Sequence, residues 1–176
     1  MTEQNRPTLL ASCARAASAA EARFRVPYPN SRARASRIFA LDEGAAAALR
    51  AITEEDWAGA HFLTVAGRGG NDPNVVPIAG FALQGPDGEP VRLADELAGA
   101  DLVVLLAATG ANGAAAGVIA REASARNIMT AGLALTDGLA RPEVEKVVNC
   151  LRPYASVLAV ASDNDFIAAM LTALRA

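Results

Sequence analysis

The chain has 176 residues, a length that suits a single domain with a sizeable core. It is 52% hydrophobic and only 20% charged, yet no apolar run reaches the roughly 18 residues that a membrane span needs. Two distant cysteines and one histidine exclude a disulfide framework and a Cys/His zinc site. We therefore expect a cytoplasmic protein with neither a metal nor a membrane partner.

Charge is unevenly distributed along the chain. Residues 1–37 contain seven arginines and two acidic residues, whereas the remainder contains nine basic and 17 acidic residues. A basic arm on an acidic body indicates that the arm binds something acidic, which leaves open the protein's own body, a neighbouring subunit, a partner protein or a nucleic acid. The arm lacks the interleaved aromatic residues that stack on bases, so a nucleic acid is not favoured.

The arm is predicted to have two parts, a helical stretch over 9–23 and an extended segment over 24–30. Pro27 and Pro29 push the residues before them out of the helical region. We therefore divide the chain into a basic arm over 1–36 and an α/β domain over 37–176. The residues predicted to contact a protein partner or a second copy are Arg23, Phe24, Arg25, Tyr28, Arg32 and Arg34.

From residue 37 onward, short apolar runs alternate with helical patterns. This alternation is typical of βαβ units and predicts a three-layer, Rossmann-like parallel sheet with helices on both faces. In chain order the predicted elements are strand 38–41, helix 44–52, strand 60–66, loop 67–74, a strand or irregular segment over 75–83, turn 85–88, helix 91–97, strand 101–107, helix 113–126, strand 128–135, helix 142–151, strand 156–161 and helix 164–174.

The loop 108–114 follows the most apolar strand and opens the helix 113–126. Helix N-termini offer unpaired N–H groups and a positive dipole end, and glycines allow a phosphate to approach the backbone closely. A tight turn without a ligand explains the same residues equally well. The candidate anion-binding or nucleotide-binding residues are Thr109, Gly110, Asn112 and Gly113.

Residues 37–167 resemble, in order and spacing, the nucleotide-binding half of the FtsZ/tubulin family. The strand 100–107 (ADLVVLLA) is similar to the family's strand before its glycine-rich signature, and 115–123 (AAGVIAREA) to the helix after it. The segments 128–136 and 154–165 are similar to the two strands that follow. The resemblance implies a fold like the tubulin/FtsZ N-terminal domain and GTP as the cofactor.

The departures from that family concern its phosphate loops. Asp42 and Glu43 stand where the first glycine loop should be, and their carboxylates would repel phosphate. The signature loop is shortened and keeps only Gly110 and Gly113. Because the family's hydrolytic acids come from later segments, no catalytic residue is assigned here and hydrolysis by this chain alone is not expected.

Two functions remain open. The first is a non-catalytic subunit or assembly factor on a degenerate FtsZ-like scaffold that acts through protein–protein association. The second is binding of GTP, of the less favoured NAD(P) or of another small anionic ligand at 108–114, either by this chain alone or as part of an enzyme completed by another chain. The NAD(P) alternative rests on Thr109–Gly113, which resembles the TGxxG of short-chain dehydrogenases but lacks their Tyr-x-x-x-Lys. The position of Asp42 discriminates between the two, because a carboxylate folded onto the Thr109 loop would block a phosphate.

Overall fold

The computed structural model describes residues 33–53, 57, 59–66, 82–136, 142–162 and 164–176. The predicted arm elements over 9–30, the loop 67–74 and most of the segment 75–83 lie outside these residues. The division of the chain at residue 36 therefore stays a prediction.

Short apolar strands alternate with alanine-rich or amphipathic helices through the described residues, as the sequence predicts. The strands are β1 (Ser36–Ala40), β2 (His61–Ala66), β3 (Ala82–Gln84), β4 (Pro90–Val91), β5 (Leu102–Ala107), β6 (Met129–Leu135) and β7 (Val157–Ala161). The helices are α1 (Glu43–Arg50), α2 (Leu93–Leu97), α3 (Gly113–Ala125), α4 (Pro142–Leu151) and α5 (Asp165–Leu174).

These strands form one sheet in the order β4-β3-β2-β1-β5-β6-β7. The pairs β2–β1, β1–β5, β5–β6 and β6–β7 are parallel. The pairs β2–β3 and β3–β4 are antiparallel. Numbered among themselves, the parallel strands follow the order 2-1-3-4-5, which is the flavodoxin-like order of doubly wound sheets. The topological switch point, where the chain reverses its direction across the sheet, therefore lies between β1 and β5.

Two apolar clusters cover the two faces of the sheet, which confirms the predicted three-layer α/β class. Phe39, Val103 and Leu105 pack against α2, α3 and α4 on one face. On the other face, Ile38 and Val104 pack against α1 and α5. β5 is fully buried along its whole length, as expected for a Leu/Val strand covered on both sides.

The antiparallel edge is the part of the sheet that differs from the prediction. The sequence pattern predicts a helix from Val91, but Val91 belongs to β4, and α2 begins only at Leu93. Two residues are too short a run for the sequence to show a strand period. Among the described residues, no helix is long and apolar enough to cross a membrane.

Candidate functional site

The loops that follow β1 and β5 diverge to opposite faces of the sheet, because α1 covers one face and α3 the other. In doubly wound domains this divergence opens a crevice at the carboxyl ends of the strands, where ligands bind. In this chain a side chain from the start of α1 crosses the crevice and binds the loop after β5. Asp42, the residue before α1, is buried there with 5% of its surface exposed.

The Asp42 carboxylate binds the backbone of the loop after β5. Its Oδ2 atom accepts hydrogen bonds from the N–H groups of Ala108 at 3.1 Å, Thr109 at 2.8 Å and Gly110 at 3.0 Å. Its Oδ1 atom accepts one from the N–H of Ala45 at 3.0 Å, which caps α1. Three consecutive N–H groups around one oxygen form an anion-binding concavity. The anion in this concavity is Asp42 itself.

A second bridge crosses the same crevice. Asn112, which is also buried, donates a hydrogen bond from Nδ2 to the carbonyl oxygen of Leu41. Gly44 in the first turn of α1 lies so close to the loop that a Cβ atom there would be 2.8 Å from the Cβ of Ala108. Asp42 and Asn112 thus hold the start of α1 against the loop after β5.

The four predicted nucleotide-binding residues therefore lie together at the switch point, but their surroundings differ from a phosphate loop. Thr109 and Gly110 give their N–H groups to Asp42, and Asn112 directs its amide to Leu41. Gly113 begins α3. Gly110 has φ of +77°, a left-handed conformation that favours glycine.

Beside this bridge, an open cleft of about 400 Å³ lies at the carboxyl ends of β5, β6 and β7, between α1 and α5. Its volume is within the range of small-molecule sites. Among the described residues, its lining carries hydroxyl and amide groups and no charged side chain. The lining residues are Gly44, Ala47, Ala48, Ala108, Thr109, Leu135, Thr136, Ser162 and Asn164.

The cleft has one smooth side and one polar side. Gly44, Ala47 and Ala48 present only backbone and methyl groups from α1. The polar side chains come from the ends of three different strands, and hydroxyl and amide groups can both donate and accept hydrogen bonds. This arrangement suits a flat, uncharged molecule with polar atoms at its edge.

Sequence reasoning missed most of this cleft, although a signal was present. Thr136 and Ser162 come directly after β6 and β7, and Thr109 is the second residue after β5. Polar residues that follow parallel strands meet at one edge of the sheet. Thr109 was predicted because its glycine-containing loop follows the most apolar strand and opens a helix, whereas Thr136 and Ser162 were not predicted.

The histidine lies at the opposite edge of the sheet, away from the cleft. His61 is the first residue of β2, and its Nδ1 atom is 2.9 Å from Oε2 of Glu96, which also pairs with Arg37 at 2.9 Å. His61 is thus hydrogen-bonded at the start of β2. Asp165 is the first residue of α5, after the N-cap Asn164.

Among the predicted partner-binding residues, the structure describes Arg34 alone. Its N–H donates to the carbonyl oxygen of Arg175 at 2.8 Å, and its guanidinium group donates to Sδ of Met129 at 2.6 Å. Arg34 is thus half-buried against the end of the α/β unit. The other five, Arg23, Phe24, Arg25, Tyr28 and Arg32, lie outside the described residues, so partner binding through them stays a prediction.

Comparison with family models and with curated proteins gives no significant match. Among solved structures, the chain is similar to a flavoprotein from Lactobacillus acidophilus NCFM in complex with FMN. The TM-score is 0.46 and the identity 13%, over 78% of this chain and 98% of that one. The apo form of the flavoprotein from the same organism matches with a TM-score of 0.45 and 11% identity, over 78% and 97% of the two chains.

Two predictions are corrected by these findings. The resemblance to the FtsZ/tubulin family is wrong, since no family model matches and the two solved structures named above are those of a flavoprotein. The prediction that GTP is the cofactor is therefore also wrong. The structure supplies a physical reason, because the N–H groups of residues 108–110 that would hold a phosphate are bonded to the carboxylate of Asp42.

Proposed function

We propose that this chain binds a small, flat, uncharged ligand in the cleft at the carboxyl ends of β5, β6 and β7. The observation that carries the proposal is the position and lining of that cleft. It lies where doubly wound sheets bind ligands, and the polar groups of its described lining are neutral side chains that follow three successive strands.

The smooth side of the cleft favours a ring system over a flexible chain. A planar ring can approach Gly44 and Ala47 closely, because no longer side chain projects from that part of α1. The hydroxyl groups of Thr109, Thr136 and Ser162 and the amide of Asn164 are of the chemical kind that hydrogen-bonds ring carbonyl and ring nitrogen atoms. Neutral heterocycles of the flavin, pterin or purine class have this chemistry.

A phosphate on such a ligand should add little affinity. Asp42 holds the N–H groups of the loop and places its negative charge beside them. An incoming phosphate would therefore find its hydrogen-bond donors occupied and would be repelled by the carboxylate. This distinguishes the proposed site from a nucleotide-phosphate site on the same fold.

The test is calorimetric titration with matched pairs of ligands, riboflavin against FMN and adenosine against AMP. We expect the neutral member of the productive pair to bind at least as tightly as its phosphorylated form. Ala47→Trp places an indole in the cleft from an exposed helix position and should weaken binding at least tenfold.

The matched control is Ala125→Trp, at an exposed position on the last turn of α3, which should leave binding unchanged. Binding of the phosphorylated members alone, or equal binding by the Ala47→Trp variant, would refute the proposal.

A further inference from the structure

One edge of the sheet presents an apolar strand without a partner among the described residues. β7 pairs with β6 on one side, and its five residues, Val-Leu-Ala-Val-Ala, include no polar side chain. No charged residue occurs from Pro153 to Ser162. Among the described residues, the large apolar side chains that are exposed are Val157, Val160 and Phe166, all in β7 or in the first turn of the helix after it.

The other edge of the sheet is protected in the usual ways. β4 is only two residues long, and its first residue, Pro90, has no N–H to offer. Glu89 and Arg92 flank it with charge. Proteins shorten edge strands and place proline or charge on them because unpaired strand edges recruit other strands. The absence of any such device on β7 indicates an edge that is covered in the working protein.

We propose that β7 pairs in an antiparallel manner with β7 of a second copy of this chain. A two-fold axis at Ala159 places Leu158 opposite the partner's Val160 and Val157 opposite the partner's Ala161. Each pair lies on one face of the joined sheet, because side chains alternate along a strand. Val160, of which 63% is exposed, is then covered, and the small Ala159 side chains meet at the axis.

Charge favours a second copy over an unrelated acidic or basic protein. The chain carries a net charge of −3, so two copies repel each other unless they meet where charged residues are absent. The stretch from Pro153 to Ser162 is such a place. A charged partner would find no group of opposite sign along β7. The self-paired strand is also isologous, the interface type of most homodimers.

This proposal does not depend on ligand binding in the cleft. The same register does place the partner's Ser156 beside Ser162, at the rim of that cleft. The second copy would thus border the site, while the lining residues all come from one chain.

The first experiment is sedimentation velocity of the full chain over a range of micromolar concentrations. We expect a dimer that Val160→Lys converts to a monomer, with the dimer dissociation constant raised at least tenfold. Because Val160 is largely exposed, the variant should keep the circular dichroism spectrum of the parent. Ala94→Lys adds the same charge at an exposed position on α2 and should leave the dimer intact.

A cross-link tests the register. Opposed residues in an antiparallel pair have Cα atoms roughly 4.5–5.5 Å apart, within reach of a disulfide. In a Cys13→Ser, Cys150→Ser background, Ala159→Cys should form a disulfide-linked dimer under mild oxidation, whereas Ala94→Cys should not. A monomeric parent, or a dimer unaffected by Val160→Lys, would overturn the proposal. A dimer that Val160→Lys dissociates but Ala159→Cys fails to cross-link would overturn the antiparallel pairing.

Discussion

Asp42 is the residue on which the chemistry of the switch point depends. Its carboxylate accepts hydrogen bonds from four backbone N–H groups, three from the loop after β5 and one from α1. In phosphate-binding domains of this architecture, N–H groups at the same place hold the ligand's anion. In this chain the carboxylate of Asp42 thus occupies the place that the anion of a bound ligand occupies in those domains.

Removing that carboxylate should convert a closed anion site into an open one. We expect Asp42→Ala to lower the free energy of unfolding by about 2–3 kcal/mol, because buried N–H groups lose their acceptor and α1 loses its cap. Added phosphate should restore part of this loss by binding the exposed N–H groups of the folded state. Thermal unfolding at increasing phosphate concentration, with chloride at matched ionic strength, measures the effect.

Asp95→Ala serves as the control for Asp42→Ala, since it removes an exposed carboxylate from α2. It should show only the general stabilisation by phosphate that the parent shows. A phosphate response of the same size in both variants would mean that the N–H groups of residues 108–110 do not form an anion site.

At the residue scale, the blocking of a phosphate by Asp42 was predicted from the sequence, whereas its capping of α1 was not, although a signal was present. An aspartate two residues after a strand and three before Ala45 is a clear N-cap signal for α1. The repulsion between Asp42 and a phosphate could also be predicted from charge alone. The hydrogen bonds from residues 108–110 could not, because they join positions more than 60 residues apart through the sheet register.

At the scale of elements, the loop after β5 is fixed between two helices. Asp42 holds it from the side of α1, and on the other side Gly110 lies against the first turn of α4. A Cβ atom on Gly110 would be 2.4 Å from the carbonyl carbon of Glu143 and 2.7 Å from the nitrogen of Val144. The loop therefore has no room to move toward α4.

Gly110→Ala should be strongly destabilising for this reason. The left-handed backbone costs an alanine about 1 kcal/mol, and the clash with the backbone of α4 raises the total to about 3 kcal/mol or more. Gly88 has nearly the same conformation, with φ of +80°, but nothing within 4 Å of its Cβ position. Gly88→Ala should lower the free energy of unfolding only by the cost of the left-handed backbone, about 1 kcal/mol. Chemical denaturation of the two variants measures the difference, and equal losses would show that α4 does not contact the loop closely.

Most elements could be predicted because their patterns are long and regular. The fully apolar run over β5 and the amphipathic pattern of α4 each extend over a whole element. β3 and β4 have three and two residues, too few for a period to appear. Their strand character comes from antiparallel pairing with β2 and with each other, a non-local cause.

At the scale of the whole molecule, the architecture was predictable and the ancestry was not. The match to the FtsZ/tubulin family rested on short runs of alanine, valine and leucine in the right order. Any doubly wound domain has buried strands of that composition between helices, so their collinearity indicates the βαβ alternation rather than a family. The specific motifs, the two glycine-rich phosphate loops, were the parts that did not match.

The position of the cleft follows from the whole topology rather than from any local motif. Thr109, Thr136 and Ser162 are separated by about 26 residues each in sequence, and parallel pairing of β5, β6 and β7 brings them to one edge. Asp42 closes the crevice between β1 and β5, and among the described residues the neighbouring cleft is open at that edge. We propose that ligand recognition occurs there.

The most direct test is a map of backbone amide chemical shifts by NMR during titration with riboflavin, or with the neutral ligand that calorimetry identifies. We predict that the perturbed amides are those of Gly44, Ala47, Thr136, Ser162 and Asn164, and that Ala47→Trp abolishes these changes. Perturbations centred instead on the small cavity of about 110 Å³ near Thr53, Thr64 and Pro86, or spread without a focus, would contradict the account.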